Sequence, residues 1–260
     1  MTPPSRDREG MNVGGVHLAR GRVARVAGAC YLGFILASVL ADRLAHIGLG
    51  DAQQVYGAID TNAGSFRLGL VVALVSAFLF LLAAWGLYVL LRPVNEHLAL
   101  LFLILNTVGV AIQCASMIPL VAAMLLGGGP SYAGAYSAAQ REGLAYLSIH
   151  VYQTSFVTAQ LFFGTWLFPL GYLVYKSGFL PRFLGVLLVL DGIGVLVWFL
   201  QALLLPDDPA ISYPGLAVSF VAEVGLGLWL LVKGVKVVDP GAGLPGEQRG
   251  ADLRTEGTRT

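Results

Sequence analysis

The sequence predicts an all-α polytopic membrane protein: six transmembrane helices, with short extracytoplasmic helices between them. Three observations predict it. Six long apolar runs fill most of the chain, charge is scarce, and the basic residues fall on one side. The runs are Val26–Ala41, Gly69–Leu91, Leu98–Leu126, Leu147–Tyr175, Phe183–Leu205 and Gly215–Val232. A helix needs about 20 mainly apolar residues to cross a hydrocarbon core of about 30 Å. The first run falls slightly short and extends through Ala24, Arg25 and Asp42; the others suffice. Hydrophobic residues make up 57% of the chain and charged residues 12%, against about 25% charged in a soluble domain. With the N-terminus inside, 13 of the 16 Lys and Arg residues lie on the inner side. Only Arg43, Arg67 and Arg141 lie outside. This positive-inside bias predicts both termini in the cytoplasm, with the protein expected in the plasma membrane.

Taken in order, residues 1–21 are polar and read as a disordered cytoplasmic N-terminus, residues 22–236 as the six-helix domain, and residues 237–260 as a disordered cytoplasmic tail. The arginines at 20, 22 and 25 read as topology determinants rather than a nucleic-acid patch, because an apolar span follows at once. In the first outer loop Asp51 can cap a short helix over Ala52–Ile59. In the second, Gly127 to Pro130 form a flexible turn, and Ser137 with Gln140 fits a capping box leading into the fourth span. Pro93 and Pro181 stop the helices at two tight inner turns, since proline lacks an amide donor and restricts the residue before it. Those two hairpins resemble each other: Gly86-Leu87-Tyr88 aligns with Gly171-Tyr172-Leu173, as a duplicated unit would.

The candidate midplane polar site is Asn106, Asp191 and Glu223. A charge at the bilayer centre costs about 2.5–3.5 kcal/mol on insertion scales, so such residues should face protein or water. At about 1.5 Å per residue, Asn106 and Asp191 lie roughly 12 Å, and Glu223 roughly 14 Å, from the inner ends of their spans. Ser219, Glu223 and Gly227 form one small or polar stripe, and Gly185, Asp191 or Gly192, and Gly194 form a looser one. Small residues let helices approach closely. The plain alternative is a protonated acid hydrogen-bonding across helices as polar glue. A second polar set, Gln113, His150 and Gln160 with Gln153 and Thr154, lies farther out. Gln113 and Gln160 are its deepest members, each about 22 Å from the inner end of its span. Amides at that depth also read as interhelical hydrogen-bond partners, and a lone His one turn inside a span as an interface residue.

No nucleophile elbow, zinc-protease motif, phosphate-binding loop or dinucleotide fingerprint is present. Cys30 and Cys114 lie within spans, outside any CxxC pattern, and read as apolar fillers. No catalytic residue, metal site or cofactor is therefore assigned. The expected partners are the lipid bilayer, an unidentified small molecule or ion, and, compatibly, further copies of the chain, but not nucleic acid.

Several segments resemble one bacterial membrane family, domain of unknown function 4386. They are Ala24-Arg25-Val26-Ala27-Gly28 with Tyr31-Leu32, Phe66-Arg67-Leu68-Gly69, Leu90-Leu91-Arg92-Pro93-Val94-Asn95, and Phe162-Phe163-Gly164. The fullest match runs from Lys176-Ser177-Gly178-Phe179-Leu180-Pro181-Arg182 into Phe183-Leu184-Gly185-Val186-Leu187. The resemblance covers about residues 22–235 and implies a six-helix integral membrane protein, with no activity attached. Asp191 and Glu223 lie outside the recognised pattern.

Three function classes follow. Transport of a small solute or ion through the midplane site leads, and predicts a polar cavity there. A non-catalytic structural or regulatory membrane subunit predicts a packed bundle. A membrane enzyme comes last, since it would need a water-accessible acid or histidine beside a cleft.

Overall fold

The structure, a computed structural model, describes residues 7–48, 50–128 and 135–235. Of the flexible turn expected over Gly127 to Pro130, the first two residues end a helix, while the rest of it, like the tail after residue 235, lies outside the described residues. The described elements are α1 (Asp7–Ala45), α2 (Ala52–Thr61), α3 (Ala63–Leu91), α4 (Glu96–Ser116), α5 (Ile118–Gly128), α6 (Ala138–Lys176), α7 (Arg182–Leu204), a 3-10 turn (Pro209–Ser212) and α8 (Tyr213–Val232). Among the described residues, six spans are long and apolar enough to cross a bilayer, with α4 and α5 together forming the third.

Local chemistry sets the boundaries. Asp51 and Gln54 form a reciprocal capping box at the start of α2, and Ser137 and Gln140 another at the start of α6. Each satisfies two of the amide groups that a helix start leaves unpaired. Asn62 and Asn95 cap α3 and α4 through their side-chain oxygens. Two boundaries depart from the sequence reading. α1 begins at Asp7, inside the stretch read as disordered, because extending an existing helix costs far less than starting one. The third run is not one helix. It breaks at Met117, since Pro119 cannot donate to the carbonyl four residues back and its ring clashes there.

The six spans close into a ring. α1 packs on α3 and α8, α8 on α7, α7 on α6, α6 on α4, and α4 on α3. Small residues draw several of these pairs together. A Cβ at Gly185 of α7 would fall 2.6 Å from the Gly171 carbonyl of α6, and one at Gly28 of α1 would fall 2.6 Å from the Leu231 amide of α8. The end of the ring carrying Arg25, Arg92 and Arg182 is filled by packed apolar residues, among them Leu87, Leu91, Leu170, Leu226 and Leu230. The end carrying α2, α5 and the 3-10 turn is less completely filled, and the candidate site opens there.

Candidate functional site

The site is assembled where α7 and α8 touch. A Cβ at Gly194 would lie 2.8 Å from the Gly215 Cα, so the two backbones meet without side chains between them. That approach brings α8 close enough for the short side chain of Ser219 to donate its Oγ hydrogen to Asp191 Oδ1. Asp191 is fully buried, and its Oδ2 has no partner among the described residues. One turn after Ser219, Glu223 is half-buried and near enough to Asp191 for their charges to interact. From the other side, the α1–α8 crossing at Gly28 and Gly227 sets the fully buried Tyr31 against the Glu223 carboxyl. The phenol oxygen faces that carboxyl but makes no hydrogen bond of good geometry.

Glu223 and Ser219 stand at the deep end of a cavity of about 380 Å³ inside the ring. All six spans contribute to its wall. Phe34 and Phe80 stack with centroids 4.2 Å apart, Phe80 packs edge-on against Trp166 at 5.3 Å, and Phe156 sits 6.3 Å from Trp198. Asp42, Arg43, Ile47 and Gly48 line its opposite end. Tyr152 accepts a hydrogen bond from the Gly48 amide at 2.8 Å, and the Gln153 amide donates to the Gly50 carbonyl at 3.1 Å. The α1–α2 connection is thereby tied to α6 beside the cavity.

The structure sorts the sequence candidates. Asp191 and Glu223 come together; Asn106 takes a different position. It is fully buried on α4, which packs against α3 and α6 across the ring from α8. Both of its amide atoms lack partners among the described residues, so it makes no direct hydrogen bond to either acid. Gln113 and Gln160 line the same cavity as Glu223, nearer its open end. Gln160 donates to the Phe156 carbonyl, whereas Gln113 Oε1 is unpartnered. His150 is exposed and borders a separate cavity of about 460 Å³, with Gln153, Thr154 and Gln201. Among the described residues, no three His, Cys, Asp or Glu side chains gather as a metal site would require.

The sequence reading passed over Tyr31 and the aromatic wall. A signal existed in the spacing. Phe34, Ser38 and Asp42 recur every fourth residue on α1, and Phe156, Gln160, Phe163 and Leu167 recur at spacings of three or four on α6, so each set shares one helix face.

Against known proteins, residues 26–234 match the family model described as Domain of unknown function (DUF4386). The chain belongs to this family. An uncharacterised protein of Archaeoglobus fulgidus is 28% identical over 176 residues, covering 64% of this chain and 86% of that one. No solved structure matches.

Proposed function

We propose that this DUF4386 protein binds a small solute at the Asp191–Ser219–Glu223 site and carries it across the plasma membrane. The single observation behind this reading is the cavity that reaches Glu223 from the α2 end of the ring. Its volume falls within the roughly 300–1,000 Å³ common to small-molecule sites. A bundle with a purely structural role gains nothing from such a void, since unfilled space forfeits packing contacts. Topology supports an outward-facing mouth. Among the described residues, Arg20, Arg22, Arg25, Arg92, Lys176, Arg182 and Lys233 cluster at the closed end, which the positive-inside rule assigns to the cytoplasm.

In this reading Glu223 contacts the solute, Ser219 holds Asp191 beside it, and Gln113 and Gln160 contact the solute on its way in. Asn106, which is not on the cavity wall, takes no part in it. The test is a thermal-shift screen of purified protein against small solutes, followed by uptake of any stabilising solute into proteoliposomes. A solute that binds only the native state raises Tm with its concentration. Glu223→Gln should fold, lose the shift and lose the uptake. If bound solutes are never taken up, the site serves binding alone and the transport half of the reading falls.

A further inference from the structure

We infer that the ligand of this cavity is a small organic cation, an amine or quaternary ammonium bearing an apolar group. This deepens the proposed solute site and rests on it. The cavity combines two recognition elements that single out this chemistry. Its wall is aromatic: Phe34, Phe80, Phe163 and Trp166 around the deep half, with Phe156 and Trp198 farther out. Aromatic faces attract cations through the ring quadrupole, most strongly where water is excluded. Its floor is acidic. Glu223 lines it directly, and Asp191 stands behind Ser219 with one oxygen unpartnered.

The alternatives fit less well. Arg43 is the lone basic residue on the lining, and it sits at the mouth beside Asp42. Arg43 is about 14 Å along α1 from Phe34. An anion reaching the floor would meet a carboxyl with no cation to offset it. A neutral apolar solute would fill the wall but leave the Glu223 carboxyl without a partner, at a cost in binding. A bare Ca2+ or Mg2+ ion needs six or more oxygen ligands, a softer divalent ion needs three or four His, Cys or carboxylate ligands, and the described lining around Glu223 is mainly hydrocarbon with no such group. A cation with an apolar body satisfies floor and wall together.

The test separates this inference from the reading beneath it. Cys30 and Cys114, the two cysteines of the chain, are replaced by Ala. Leu216→Cys then places one thiol on the cavity wall, two turns of α8 from Glu223. In membranes, its reaction rate with a membrane-impermeant methanethiosulfonate reagent is measured with and without benzyltrimethylammonium. The uncharged carbon isostere, neopentylbenzene, serves as the comparison. The expected result is labelling that benzyltrimethylammonium slows at a concentration at least tenfold lower than neopentylbenzene does. Glu223→Gln should abolish that preference and Glu223→Asp should retain it. Labelling with no protection by the cation, or with equal protection by both compounds, overturns the cation assignment and leaves the solute-accessible cavity standing. A thiol that never reacts overturns both.

Discussion

At the residue scale, the two kinds of buried polar group in this bundle have opposite expectations. Asp191 is held by Ser219, and Glu223 faces both a cavity and a phenol. Asn106 is fully buried with both amide atoms unpaired. An unpartnered buried polar group costs about 1–3 kcal/mol, and replacing it with an apolar group of similar shape removes that cost. Asn106→Leu should therefore keep or raise Tm in detergent and leave solute binding unchanged. A fall in Tm together with lost binding would place Asn106 in the site through water. For the acids, Asp191→Asn and Glu223→Gln keep the shape and a hydrogen-bonding group, so both should fold with near-native Tm. Glu223→Gln should lose ligand binding by tenfold or more. If both variants bind and function like the native protein, the acids are interhelical glue.

At the element scale, backbone-to-backbone seams hold the ring. Gly185 meets the Gly171 carbonyl and the Tyr175 amide, atoms that cannot rotate away. Gly185→Ala should destabilise the protein by about 1–3 kcal/mol, the usual range for overpacking. Gly225 is the internal control. A Cβ there meets only Leu184 Cδ2 at 3.5 Å, an ordinary contact. Gly225→Ala should be neutral or stabilising by up to about 1 kcal/mol, since glycine is a poor helix former. Unfolding of the two variants in a denaturing-detergent titration compares them directly; equal losses would refute the seam. The aligned glycines of the two hairpins also differ in use. Gly171 packs across its own hairpin against α7, whereas Gly86 packs against Ala27 of α1. If the hairpins share an origin, they have come to pack differently.

At the scale of the whole molecule, orientation follows from the charged ends. A reporter fused after Thr260 should report cytoplasm, and reporters within residues 42–68 and 206–214 should report the outside. A periplasmic C-terminus would invert the six-span topology. Arg182 is exposed at the α6–α7 turn, with its guanidinium 5.7 Å from the Tyr175 ring centroid. A stem lying along apolar surface with its charge at headgroup level suits an anchor. Arg182→Glu should lower membrane yield or mis-orient α7 and α8 in the same reporter assay. Unchanged yield and orientation would remove the anchoring role.

The sequence by itself determined the class of protein, the six spans, the capped starts of α2 and α6, and the family. Each rests on information local in the chain: run length, hydropathy, a cap and its partner three residues on, a motif at a turn. It also singled out Asp191 and Glu223, because a charge in an apolar run is costly wherever the helices go. The tertiary structure alone decided which polar residues meet. Asn106 and the two acids share an axial depth, but depth says nothing about position around a ring, and α4 closes against α3 and α6 rather than α8. Tyr31 and the aromatic wall read as ordinary core for the same reason. Whether a buried phenylalanine fills space or borders a void depends on helices distant in sequence. Here glycine seams bring Gly28 to Gly227 and Gly194 to Gly215, so α1 and α7 close around α8, and the cavity stays open beside Glu223.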